Sequence, residues 1–184
     1  IDKILDNPAY LYGFQVSFTN YPDITEIIHL VKEANPSAKF VLGGPFVVSM
    51  YEQLLKHDSN IDVIVMGEGE YTIVELIKYI KEGREDWNLI QGLSRRNEEG
   101  EVVMNTHRKA IADMNVMPFA ARDGLNDPDR AVDRDINGNF MYDVRITTSR
   151  GCTSDCTFCA VNVNSKWQRA SRWRGRDPLN VVDE

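Results

Sequence analysis

Three cysteines fall within eight residues, in Arg150-Gly151-Cys152-Thr153-Ser154-Asp155-Cys156-Thr157-Phe158-Cys159. Thiolates are soft metal ligands, and this C-x3-C-x-aromatic-C spacing gathers three of them on one loop. A structural zinc site takes four ligands, and a closed electron-carrier cluster takes four cysteines. The loop supplies three. Three thiolates suit three irons of a four-iron cluster, with the fourth iron left open to a substrate-like ligand. The bland alternatives are a chance cluster or a zinc knuckle short of one ligand. Zinc would need its fourth ligand from elsewhere in the fold, because His29, His57 and His107 all lie far upstream.

The elements that must position this loop can be read outward from it. Val144–Thr148 is predicted to be a strand running directly into the cysteines. After them, Trp167–Arg176 is strongly basic. Arg172 or Arg174 could face ligand carboxylates, but a solvated loop is the simpler reading. Asp177-Pro178 has the form of an N-cap followed by proline at the first helical position.

Upstream, short apolar runs alternate with amphipathic periods. Tyr10–Phe18 reads as a strand with Phe14, Val16 and Phe18 on one face. Asp23–Ala34 reads as a helix with Ile24, Ile27, Ile28 and Val31 on its apolar stripe, ended by Asn35-Pro36. Phe40-Val41-Leu42 is a buried-type strand closed by Gly43-Gly44-Pro45. A helix over Val48–Lys56, a strand over Ile61–Met66 and a helix from Gly67-Glu68-Gly69-Glu70 to Lys81 follow. The last helix has Ile73, Leu76, Ile77 and Ile80 as its expected buried stripe. This alternation defines an α/β, Rossmann-like (flavodoxin-like) parallel sheet. Leu93–Arg96 and Glu101–Asn105 flank Asn97-Glu98-Glu99-Gly100 as a hairpin closing the sheet edge. The expected domains are 1–110, a linker over 111–139 carrying Met117-Pro118, Asp127-Pro128 and Asn137-Gly138, and 140–184.

The chain has 184 residues, a formal charge of -7 and 42% hydrophobic residues. That is enough for one cored domain and part of a second. The acidic balance argues against nucleic acid or an anionic membrane as partner. No apolar run approaches the roughly 20 residues needed to span a bilayer. Ile1-Asp2-Lys3 is neither a signal peptide nor a Met start, and three clustered cysteines make a poor disulfide framework. The expected setting is the reducing cytoplasm, and both ends read as cut from a longer polypeptide.

With these motifs in place, residues 149–159 resemble the signature of the radical S-adenosylmethionine (SAM) enzymes, which follows the first strand of a partial (β/α) barrel. The resemblance implies that Cys152, Cys156 and Cys159 ligate a [4Fe-4S] cluster, that SAM chelates the open iron, and that Phe158 lies near the adenine. It also implies reductive cleavage of SAM to a 5′-deoxyadenosyl radical, with an electron donor such as flavodoxin or ferredoxin and a small-molecule or peptide substrate. In the same order along the chain, Val16-Ser17-Phe18-Thr19, Leu42-Gly43-Gly44-Pro45 and Gly67-Glu68-Gly69-Glu70 resemble the cobalamin-binding domains fused in front of such enzymes. All three stand at predicted carboxyl ends of strands, where open α/β sheets bind ligands. By that resemblance, Ser17 and Thr19 contact the nucleotide tail of cobalamin, Gly43 and Gly44 admit it, and Gly67 and Glu68 form the neighbouring loop.

The chain departs from the wider cobalamin pattern in having Thr19 where many members carry Leu. No histidine sits in the D-x-H-x-x-G segment that supplies a lower cobalt ligand in some members. His29 falls off the apolar stripe and is expected to face solvent. The glycines lack the G-x-G-x-x-G spacing for dinucleotides. The reading is a fragment of a cobalamin-dependent radical SAM enzyme, with methylation of an unactivated carbon as its leading activity. Cyclisation, rearrangement or oxidation with the same cofactors is the alternative, and a non-catalytic corrinoid-binding module a third.

Overall fold

The structure, a computed structural model, describes residues 2–122, 137 and 146–184. The chain forms two compact units, Ile1–Ile111 with Ser154–Ala170, and Ala112–Thr153 with Ser171–Glu184. The first unit runs α1 (Asp2–Leu5), β1 (Leu11–Gln15), α2 (Tyr21–Ala34), β2 (Lys39–Gly43), α3 (Pro45–His57), β3 (Val63–Val65), α4 (Glu70–Lys81), β4 (Leu93–Arg96) and β5 (Val102–Met104). It also holds α5 (Ala160–Trp167) from beyond the cysteines.

The sheet has the order β1-β2-β3-β4-β5, parallel through β3 and antiparallel thereafter. Successive strand side chains point to opposite faces, and β2 shows it. Phe40 and Leu42 pack with the stripes of α2 and α3, including Ile24, Ile28, Val31, Val47 and Leu55. Val41 joins Val63, Val65 and Leu76 of α4 on the other face. Helices therefore cover both faces of a mostly apolar sheet.

Three expectations are corrected in detail. The strand predicted over Tyr10–Phe18 stops at Gln15; Val16 remains buried, but Phe18 is 81% exposed. The Asn20 side chain causes the break, accepting from Ser17 N at 2.7 Å and donating to Gln15 O at 3.1 Å. Second, only Val63–Val65 of Ile61–Met66 is strand, although Ile61 and Met66 are buried. Third, Ile77 is 38% exposed, whereas Thr72 is fully buried. The Thr72 hydroxyl donates to Gln91 O at 3.2 Å and accepts from Arg108 Nε at 2.8 Å. A polar side chain can face inward there because its hydrogen bonds are met.

Arg96, on β4, reaches back to the end of α3. Its guanidinium donates to Leu55 O at 2.6 Å, Asp58 O at 3.3 Å, Ser59 O at 3.0 Å and also Ile61 O. The last carbonyls of a helix lack intrahelical donors, and one cation supplies them here.

The second unit contains β6 (Ser149–Gly151), β7 (Trp173–Gly175) and α6 (Pro178–Asp183). Strands β6 and β7 are antiparallel, with Arg150 opposite Arg174. The strand expected over Val144–Thr148 thus begins later. Ile146–Thr148 is not strand, because its would-be partner β7 ends at Gly175; Val144 and Arg145 lie outside the described residues. Of the loop expected over Trp167–Arg176, only 168–172 is loop or turn, with Arg169, Ser171 and Arg172 exposed. Trp167 closes α5 and Trp173–Gly175 is a strand, recruited by its pairing with β6 rather than by its own composition. Within 111–139, Met114–Val116 forms a 3-10 turn with Met114 buried; 123–136 and 138–139 lie outside the described residues.

Asp177 caps α6 as expected, accepting from Leu179 N at 2.8 Å. Arg176 and Arg122 both donate to Glu184, and these hydrogen bonds hold its carboxyl down at about 2. Among the described residues no helix is long and apolar enough to cross a membrane.

Candidate cofactor site at the carboxyl ends of the strands

A cleft of about 630 Å³ opens where β1 and β2 end, a size suited to a nucleotide-like group. Ser17, Phe18 and Asn20 line it from the turn after β1, Pro45 and Phe46 from the start of α3, and Ala160 from the start of α5. Phe46 meets Phe18 edge-on at 6.3 Å and Tyr21 at 5.6 Å, which builds an aromatic wall. Ser17 Oγ and Thr19 Oγ1 are 2.9 Å apart, so both predicted hydroxyls belong to one exposed turn.

Of the glycine pair, Gly44 is the constrained one. Its φ is +107°, and a Cβ there would stand 2.8 Å from Val16 O. At Gly43 the nearest atom to an added Cβ is 3.9 Å away. The backbone turn from β2 into α3 therefore lies against the chain leaving β1, and only glycine fits without strain.

The third predicted segment follows β3. Glu68 accepts from Ile111 N at 2.8 Å, which ties this turn to the end of the first stretch of the unit. Gly67 is covered by Gln168, just past the end of α5, whose amide occupies the space a Cβ would need. Helix α5 therefore reaches both groups of strand-end residues, through Ala160 at the cleft and its following residue Gln168 at Gly67.

In the cysteine loop, Cys152 N donates to Arg172 O at 2.7 Å. Cys156 O accepts from Cys159 N at 3.2 Å and from Asn162 Nδ2 at 3.1 Å, in a turn that leads straight into α5. Cys156 is exposed, Cys152 and Cys159 partly so, and Phe158 is 90% exposed. Cys152 belongs to the second unit, Cys156 and Cys159 to the first. Among the described residues no three His, Cys, Asp or Glu side chains are drawn together as a metal-holding set. His29 is exposed and lies 3.2 Å from Asp58 Oδ2.

Asn20 and Ala160, which line the cleft, and Gln168, which covers Gly67, escaped sequence reading. Asn20 had a signal, since it precedes Tyr21-Pro22 at a helix start. Ala160 and Gln168 had none, because their partners are more than a hundred residues away.

Residues 1–77 match the family model of the B12 binding domain, and the parallel α/β sheet is the fold of that class. Over 174 residues the chain is 32% identical to an uncharacterized methyltransferase of Pyrococcus horikoshii, covering 95% of this chain and 35% of that protein. Over 160 residues it is 32% identical to the anaerobic magnesium-protoporphyrin IX monomethyl ester cyclase of Rubrivivax gelatinosus, covering 85% and 27%. The fold also superposes on OxsB, a cobalamin-dependent S-adenosylmethionine radical enzyme solved with aqua-cobalamin and S-adenosylmethionine bound. There the TM-score is 0.71 and the identity 24%, over 99% of this chain and 23% of OxsB. Over most of its length the chain is thus similar to proteins named as cobalamin-dependent radical SAM enzymes. It spans about a third or less of the length of these relatives.

Gly44→Ala is expected to destabilise the first unit by about 1–3 kcal/mol through strain at its positive φ. Gly43→Ala should cost less than half as much. Urea unfolding of the two variants side by side measures the difference.

Proposed function

We propose that the whole protein uses cobalamin and a SAM-bound iron–sulfur cluster to methylate an unactivated carbon. The observation that carries this is α5. It starts directly after the third cysteine and lines the cleft at the strand ends with Ala160, so one helix serves both cofactor regions. Ser17, Thr19 and Gly44 would hold the nucleotide tail of cobalamin, with Gly43, Gly67 and Glu68 around it. Cys152, Cys156 and Cys159 would ligate the [4Fe-4S] cluster, leaving an iron for SAM, with Phe158 near the adenine. When bound, these cofactors supply one-electron cleavage of SAM and carriage of a methyl group; the protein supplies placement and exclusion of water.

Backbone hydrogen bonds tie Cys152 to Arg172 and Cys159 to Cys156, and the exposed Phe158 offers a flat apolar face for a purine. A small-molecule or peptide substrate, a flavodoxin- or ferredoxin-type electron donor and a reducing cytoplasm complete the proposal. Anaerobically reconstituted full-length protein should release 5′-deoxyadenosine from SAM under reduction, and Cys156→Ala should lower that rate at least a thousandfold. A Cys156→Ala protein that still cleaved SAM reductively would sink the cluster assignment.

A second reading is favoured by the likeness to the Rubrivivax cyclase. It keeps both cofactors and replaces methyl transfer with ring closure or oxidation of the substrate radical. Product mass separates the two, since only methylation adds a methylene and transfers isotope from the SAM methyl group.

A further inference from the structure

The hydrogen bond from Cys159 N to Cys156 O closes a four-residue turn with Thr157 and Phe158 at its centre. Such a turn holds its first and fourth Cα atoms within about 7 Å of each other. A disulfide spans Cα atoms roughly 4.4–6.8 Å apart, so the backbone itself brings Cys156 and Cys159 into the range of one. The turn is braced from α5: Asn162 Nδ2 donates to Cys156 O at 3.1 Å, and Asn162 N to Cys159 O at 3.2 Å. Cys156 is exposed and Cys159 partly so, which lets one thiol meet an oxidant while its neighbour completes the exchange. Cys152 has a different anchor. Its N–H bonds Arg172 O at 2.7 Å, and it belongs to the second unit.

We infer that Cys156 and Cys159 form a reversible disulfide in the cofactor-free protein, making this turn a redox-sensitive modification site. The oxidant is a small-molecule disulfide such as oxidised glutathione. The Cys156 thiolate attacks one of its sulfurs, releasing one glutathione and leaving a mixed disulfide. The Cys159 thiolate then attacks the Cys156 sulfur and releases the second. Two protein thiols are oxidised, one glutathione disulfide is reduced, and the two thiol protons pass to the departing glutathione thiolates. Disulfides in reducing compartments are usually transient, so this one is a resting state that reduction clears. The consequence rests on the cluster reading above: the bridge withdraws two of the three thiolates, and iron loading waits for reduction.

The test uses the full-length protein stripped of iron, equilibrated anaerobically with mixtures of reduced and oxidised glutathione and then alkylated. Chymotrypsin cuts after Phe158, between the two cysteines, so a Cys156–Cys159 bridge leaves two peptides joined in the mass spectrum. The joined pair is expected in wild type and in Cys152→Ser, and not in Cys156→Ser or Cys159→Ser. Oxidised wild type should take up roughly a tenth or less of the iron taken up by reduced protein, because the cluster is held by thiolates. Adding a reductant should restore uptake. No bridge in wild type under oxidised glutathione alone, or a bridge that runs through Cys152, would overturn the inference. A bridged protein that loads iron normally would overturn the gating. Failure of fully reduced protein to take up iron would remove the cluster reading instead, and the bridge would still be read from the peptides.

Discussion

Gly151→Ala in the full-length protein is expected to abolish most of its capacity to hold iron after anaerobic reconstitution. Gly151 adopts φ +92°, and a Cβ there would overlap the carbonyl of Arg172. The obstacle is backbone on both sides, so no side-chain rotation relieves it. The chain must open the pairing of Gly151 with Trp173 and the bond from Cys152 N to Arg172 O. Strain at such a position costs roughly 1–3 kcal/mol before the clash is counted. Its consequence falls on the residue that carries the first thiolate. Gly175→Ala is the control: the atoms nearest an added Cβ there belong to the ring of Trp173, which is half exposed and can turn aside. Iron and sulfide assays should therefore give near-zero loading for Gly151→Ala and near-normal loading for Gly175→Ala. Equal loading in both would mean that the β6–β7 pairing does not set the position of Cys152.

Arg96→Met should produce the largest loss of stability in the first unit, about 2–4 kcal/mol. The substitution keeps most of the apolar stem and removes the guanidinium. Four carbonyl oxygens, of Leu55, Asp58, Ser59 and Ile61, then lose their donor together. They lie at the end of α3 and in the connection to β3, so the damage is expected to spread into the strand whose end presents Gly67. A fall in melting temperature of roughly 5–15 °C follows. It should be read by circular dichroism on protein free of cofactor, so that ligand binding does not mask it. Arg96→Lys should recover only part of the loss, since an ammonium cannot reach four carbonyls with one planar fork.

The layered α/β fold was legible because burial has a period. The stripe of Ile24, Ile27, Ile28 and Val31 and the unbroken run Phe40-Val41-Leu42 could each serve only one kind of element. The hairpin was legible from Asn97-Glu98-Glu99-Gly100, whose turn chemistry is local. What escaped was everything held by distant pairing. Trp173–Gly175 has no strand pattern of its own and becomes one against Ser149–Gly151. Ile77 looked buried by spacing alone, yet the satisfied hydroxyl of Thr72 turns a different line of α4 inward. Within the site, glycines announced the turns but not which glycine was indispensable. That depended on how close Val16 O comes to Gly44 and not to Gly43.

The chain leaves its first compact unit at Ile111, re-enters it at Ser154 and leaves it again after Ala170. A cut in the stretch after Ile111 would look harmless on a linear map. It would nevertheless take away α5, uncover Gly67 and remove Ala160 from the wall of the cleft. Exchanging the front half of this protein for that of a relative would then join a sheet edge from one parent to a helix from another. The two halves cannot be traded as independent parts, and a chimaera intended to swap cofactor domains has to carry residues 154–170 along with the sheet they complete.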